Sequence, residues 1–183
     1  MSLNNITTVQ NDPTLRSIII RLANIINSDA LSSGKRAQLR RMSLQNEPPL
    51  CFYQLAVTYL PEGWTHPSLR SDWLTIVAGM ATMFPRIHQS DRPLGRVLAQ
   101  AGYSEARLER LLVADDMVRR VLVQRLTRFL AAKLMSVNWI ELGALLLLRD
   151  HERRESLHLR IAQDFYTQIK QEESQSHSKG SDH

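Results

Sequence analysis

Apolar residues recur every three or four positions along most of this chain, and the interruptions are short and rich in proline, glycine, serine or asparagine. Leu15, Ile18, Ile19, Leu22, Ile25 and Ile26 keep helical spacing with Arg16, Asn24 and Asn27 between them. Asp12-Pro13 ahead of them supplies a capping carboxylate and a proline at the first helical position, so a helix is predicted to Ser28. A short helix capped by Ser33 follows, with Leu39 and Met42 on one side and Arg36, Ala37, Arg40 and Arg41 on the other. After a break at Asn46 to Pro49, Leu50 to Tyr59 reads as an aromatic-rich helix ended by Pro61-Glu62-Gly63, with Trp64 plugging the core. Leu69 to Phe84 reads as a largely buried helix through Trp73, Leu74, Val77, Met80, Ala81 and Phe84, stopped by Pro85.

Residues 86–93 form the longest polar interruption inside the domain and are expected to be a mobile, functional loop. Leu94 to Gln100 ends near Gly102, and Ser104 opens a helix with Leu108, Leu111 and Leu112 inward. Asp116 to Leu134 places Val118, Leu122, Leu126, Phe129 and Leu130 on one face and Arg120, Gln124 and Arg128 on the opposite one, with Arg125 beside Arg128 and Arg119 turned toward the apolar side. Asn138-Trp139 starts a helix to Leu148 that is hydrophobic nearly all round and therefore central. The last helix, Arg149 to Gln171, carries Leu157, Ile161, Phe165 and Ile169 at helical spacing.

This pattern predicts an all-α protein of eight to nine helices in two small packed bundles, residues 12–93 (with the basic helix at 33–43) and 94–171. Residues 1–11 are expected to be a flexible start and 172–183 a disordered tail. Composition agrees, with 43% hydrophobic residues in a chain of 183 and only 7 glycines and 7 prolines. The single cysteine, Cys51, excludes an internal disulfide and a cysteine-based zinc knot and reads as a small buried apolar residue. No secretory signal is visible in residues 1–11, and no apolar run approaches the roughly 20 residues of a membrane span, so a cytoplasmic protein is expected.

The distribution of charge says more than its net value of +5. Residues 33–42 hold four cations and no anion, and residues 92–133 hold nine cations against four anions. Of the 23 cationic side chains 19 are arginine, whose planar fork suits phosphate oxygens. Lys35 and Arg36 also sit near a helix N-terminus, where the macrodipole disfavours cations and a bound phosphate would relieve the mismatch. Segregation of this kind points to a polyanion-binding surface built from Lys35, Arg36, Arg40 and Arg41 on one helix and Arg120, Arg125 and Arg128 on another.

Other motifs are weaker. Leu98 to Glu105 has the small residue, turn glycine and capped second helix of a helix-turn-helix, so residues 94–113 carry the alternative reading of a regulator that reads duplex DNA. His151, Glu155 and His158 fall at i, i+4 and i+7, but Arg153 and Arg154 beside them favour an ion-paired helix surface over a metal site. No glycine-rich phosphate loop, nucleophile elbow or apolar-set carboxylate pair is present, so neither a catalytic function nor a cofactor is expected. An adaptor bundle that binds another protein through Trp64 or Trp73 is a third reading.

Gly34-x-x-Ala37-x-Leu39-Arg40-Arg41, Phe52-Tyr53, Gly63-Trp64, Leu94-Gly95-Arg96, Ser104-Glu105-x-Arg107 with Leu111-Leu112, and Asn138-Trp139, in that order, resemble the CasB family, the small subunits of the type I-E CRISPR surveillance complex Cascade. The resemblance runs from about residue 33 to about residue 166. It implies a non-catalytic, all-helical protein present as a pair in an RNA-guided antiviral complex. It further implies that the protein steadies the displaced single strand of opened target DNA and contacts the backbone and large subunits, with the guide RNA backbone a further candidate. Arg40, Arg41, Arg96 and Arg107 stand in matched motifs, and Lys35 and Arg36 flank one of them. The helix carrying Arg120, Arg125 and Arg128 is a few residues longer than the family pattern.

Overall fold

The computed structural model describes residues 13–179, with side chains from 15 to 175. The expected flexible start at 1–11 and the capping Asp12 lie outside the described residues. Nine helices make up the described residues, and the fold is all-α as the periodicity predicts: α1 Pro13–Asn27, α2 Ser33–Arg40, α3 Leu50–Tyr59, α4 Pro67–Met83, α5 Leu94–Gln100, α6 Glu105–Val113, α7 Asp116–Ala132, α8 Trp139–Leu147 and α9 His151–Lys179. The last helix continues through residues 172–179, inside the segment expected to be a disordered tail.

Two helices are buried on nearly every side, and the others are arranged around them. Along α4 every residue from Asp72 to Ala81 is buried, and α8 is buried from Trp139 to Leu146. α1, α2, α7 and α8 all pack on α4. The buried apolar residues form a single cluster, so the core runs continuously across the 93/94 boundary expected between two bundles. Trp139 lies fully buried against Gly79 of α4, where a Cβ would stand 2.6 Å from its ring. Burying a side chain of this size contributes roughly 2–3 kcal/mol, and any larger residue at 79 would trade that packing for overlap.

The close approach of α5 to α9 has a similar cause. A Cβ on Gly95 would stand 2.0 Å from the carbonyl oxygen of Ile161, so the backbones meet with no side chain between them. Glu141 on α8, buried, accepts the Leu94 backbone N–H at 2.7 Å and faces Arg160 Nε at 3.4 Å. One carboxylate thereby caps α5 and ties α8 to α9. The Leu94-Gly95-Arg96 motif is legible in these contacts: its glycine serves helix packing.

Local corrections to the sequence reading follow from neighbours that periodicity cannot see. The cap of α2 is Ser32, whose hydroxyl accepts the Lys35 backbone N–H at 3.3 Å, and the helix ends at Arg40 rather than at 43. Phe84 is 40% exposed, outside the core, with the Arg36 guanidinium 3.8 Å above its ring. Residues 86–93 are held firmly. His88 pairs with Val137, Gln89 N–H donates to Val137 at 3.2 Å, His88 Nδ1 accepts the Trp139 N–H at 3.0 Å, and Asn138 N–H donates to the Arg92 carbonyl at 2.8 Å. Asn138 in turn caps α8 by accepting from Ile140 N–H at 3.1 Å.

Gly102, at φ +71°, makes the turn between α5 and α6. The two helices then part company: α5 lies along α9 and α6 packs on α7. This separates the pair that a helix-turn-helix would dock together, because each helix turns its apolar stripe to a different neighbour.

Candidate nucleic-acid interface

Arginines on this molecule divide by whether a carboxylate or carbonyl lies within reach. At the junction of α4, α7 and α9, Asp72 is 1% exposed and accepts from Arg120 Nε at 2.7 Å and from Arg149. Asp116 faces Arg119 at 3.1 Å, Arg154 at 3.5 Å and Arg149 at 3.6 Å. Carbonyls complete the shell. Arg149 also donates to Leu146 at 2.7 Å and Ser68 at 3.0 Å, Arg154 to Leu148 at 2.6 Å, and Arg119 to Leu112 at 3.3 Å and to Ala114.

Burial pushes the Asp72 carboxyl above its usual range, with Arg120 and Arg149 pulling against it. Burial likewise lowers Arg119, with the neighbouring Arg154 charge adding. His158, half-buried close by, is pushed down to about 4 by burial and then by the Arg119 and Arg154 charges, and is neutral at physiological pH.

Arg120 therefore does not stand on an outward basic stripe: its side chain is 13% exposed and its fork is spent on Asp72 and the Ser68 carbonyl. Only the Arg120 edge of the face that the helical projection turns outward meets α4, with Val123 and Thr127 buried beside it and Thr127 against Gly79, while Arg125 and Arg128 stay exposed. Val118, placed on the apolar side by the same projection, is 39% exposed. Arg119 is buried, as the projection predicts. Arg36 is a second departure. Its guanidinium donates to the carbonyls of Ile26, Ser28 and Leu31 at 2.8, 2.9 and 2.9 Å, so it closes the C-terminal end of α1.

The remaining candidates are open. Side chains of Arg40, Arg41, Arg107, Arg110, Arg125 and Arg128 are exposed and form no hydrogen bond or ion pair with other described residues. Lys35 is exposed and donates to Gln54 Oε1 at 3.3 Å. Arg96 is exposed but lies in the field of Asp164, whose carboxyl is pushed up by burial and drawn back by Arg96 and Arg160.

Two concavities gather these cations. Between α6 and α7, a cleft of about 310 Å³ is lined by Arg107, Arg110 and Arg125 over a floor of Tyr103, Leu122, Leu126 and Phe129. The two rings lie 5.5 Å apart at 57°, Arg107 sits 6.0 Å over Tyr103, and Lys133 stands 5.3 Å over Phe129. Between α2 and the end of α4, a groove of about 260 Å³ is lined by Ser33, Arg36, Ala37, Arg40, Ala81 and Phe84. Both α2 and α7 pack on α4, α2 beside Ala81 and Phe84 and α7 beside Gly79, so Arg40 and Arg128 flank the same half of that helix. Arg110 escapes the sequence reading. Its signal is the i, i+3 spacing from Arg107 on an exposed helix face.

Trp73 is buried and Trp64 packs on Phe52 at 5.8 Å, so neither tryptophan forms an exposed docking knob. Among the described residues no three His, Cys, Asp or Glu side chains converge on a point that could hold a metal ion, and no helix is long and apolar enough to cross a membrane. His151 and Glu155 lie at the surface 3.9 Å apart.

Residues 35–166 match the family model described as CRISPR-associated protein Cse2, the name under which CasB proteins are also known. In three dimensions the chain is similar to a chain of E. coli Cascade solved with a PAM-containing double-stranded DNA target, with 26% identity, a TM-score of 0.61, and coverage of 83% of this chain and 96% of that one. No curated protein matches the sequence.

Proposed function

Since the chain belongs to the Cse2 (CasB) family of type I-E Cascade, we propose that it is a non-catalytic, cytoplasmic small subunit of an RNA-guided antiviral complex that holds opened target DNA by its phosphates. One observation carries this reading. Six exposed arginines without carboxylate partners stand on or next to α2, α6 and α7, of which α2 and α7 pack on α4 and α6 packs on α7, while most of the remaining arginines near α7 are tied to Asp72, Asp116 or backbone carbonyls. Unpaired guanidiniums on a rigid scaffold suit a strand held without base reading, because the attraction is to phosphate and comes with release of its counterions. The strand best matched is the displaced single strand of the opened target, with the guide RNA backbone as the second candidate. A second copy of this chain and the backbone and large subunits complete its surroundings.

The test is equilibrium binding of the full chain to unrelated single-stranded and duplex DNAs across a salt series, with Arg40→Ala/Arg41→Ala beside the wild type. Sequence-indifferent binding that weakens steeply with salt is expected. The log–log slope on single strands should be shallower by about 1.4 in the double variant, about 0.7 for each lost phosphate contact. Tight binding to one selected duplex, unchanged in that variant, would overturn the reading and favour a regulator using residues 94–113.

A further inference from the structure

We propose that the cleft between α6 and α7 is a nucleobase subsite, which seats the base of one unpaired nucleotide against Phe129 and Tyr103 while Arg107, Arg110 and Arg125 hold its flanking phosphates. The inference rests on the single-strand reading above and adds a contact which that reading does not require. A surface that only tracks phosphates has no use for an apolar floor. Here the three guanidiniums stand around one, made of Leu122, Leu126 and the two rings.

Size and chemistry both select the occupant. A volume of about 310 Å³ lies at the small end of ligand-sized clefts, roughly 300–1,000 Å³, which suits one nucleotide and excludes a duplex. Arginines without carboxylate partners at the mouth call for an anion, and an apolar floor that carries two aromatic rings calls for a ring. In a single strand the two are parts of one nucleotide, so a phosphate drawn to the mouth delivers its own base to the floor. The rings meet at 57°, too oblique to sandwich a base between them, so the base lies on the floor and contacts one ring by its face and the other by its edge. Because every base has a π-face, the contact is indifferent to sequence. The groove beside Arg40 lacks this capacity: its one ring, Phe84, is covered at 3.8 Å by Arg36, which three carbonyls hold in place, whereas Lys133 over Phe129 and Arg107 over Tyr103 stand farther off, at 5.3 and 6.0 Å.

The deciding experiment compares binding of the full chain to two oligomers of about 20 nucleotides at about 50 mM salt, oligodeoxythymidylate and its fully abasic counterpart, which carry the same phosphates. The wild type should bind the intact oligomer about fivefold more tightly or better, the lower end of one stacked base. Phe129→Leu, which keeps the apolar packing, should bring that ratio toward one and leave the salt slope alone. Arg107→Gln/Arg125→Gln should flatten the slope on both oligomers and preserve the ratio. A wild-type ratio of one with salt-dependent binding intact overturns the base subsite and leaves the phosphate-holding reading standing. Binding of neither oligomer overturns both. Should Phe129→Leu fail to fold, quenching of a 2-aminopurine placed in the wild-type complex decides the point, and unquenched fluorescence at every position refutes it.

Discussion

Arg119 and Arg120 at the start of α7 and Arg125 and Arg128 farther along it are the same residue on the same helix, yet they do opposite work. The first two are buried or nearly so and are held by Asp116, Asp72 and backbone carbonyls. The second two face solvent and make no hydrogen bond or ion pair with other described residues. Intrinsic charge does not separate them. What does is whether a carboxylate lies within reach: Asp116 faces Arg119 one turn back on α7, α4 supplies Asp72 opposite Arg120, and nothing of that charge lines the cleft where Arg125 stands. A desolvated guanidinium without such a partner would be too costly to bury, so the paired end of α7 closes the core and the unpaired end stays open to a ligand.

The largest effect should come from breaking the paired region. Asp72→Ala leaves Arg120 and Arg149 facing each other without their shared anion, and a loss of about 3–5 kcal/mol of unfolding free energy is expected, read from urea or thermal melts. A loss below about 1 kcal/mol would mean that the cluster is solvated like any surface pair.

A smaller effect should follow from pH. His158 titrates near 4 in the folded chain against 6.5 when unfolded, so the unfolded chain binds the extra proton first and stability falls as pH drops from 6.5 toward 4. The loss should be on the order of 2 kcal/mol after solvent screening, and His158→Asn should remove it. Asp72, with its carboxyl held above the usual range, works in the opposite direction, and the difference between wild type and variant isolates the histidine.

The smallest change in stability, and the sharpest contrast, should come from the open region. Arg125→Gln/Arg128→Gln should alter unfolding free energy by no more than about 0.5 kcal/mol while making the salt slope on single strands shallower by about 1.4. A stability loss comparable to that of Asp72→Ala would erase the distinction between the two ends of the helix.

Much of the fold was legible in the chain. The repeat of apolar residues located nearly every helix, Asn138-Trp139 marked the central one, and the paucity of β-branched clusters excluded sheets. The ends and the loop were read less well. Ser32 rather than Ser33 caps α2, because the choice between adjacent serines depends on backbone geometry, and residues 86–93 are pinned by Val137 and Trp139, some fifty residues away in the chain.

Of the candidate site, the two basic segments were visible as an excess of positive charge, without any anion in residues 33–42 and with nine cations against four anions in residues 92–133. Arg40, Arg41, Arg125 and Arg128 stayed on the surface. Arg36 and Arg120 did not, since the groups that claim them, the Ile26 and Ser28 carbonyls and Asp72, come from elsewhere in the fold. Arg110 and the ring floor went unread because the cleft exists only once α6 lies on α7.

The helical class, most core stripes and the excess of arginine are written in the order of residues, because all of them depend on spacing and composition along the chain. Tertiary structure alone decided which arginines are free, because a guanidinium's role depends on the few ångströms around its fork, and distant helices fill that space.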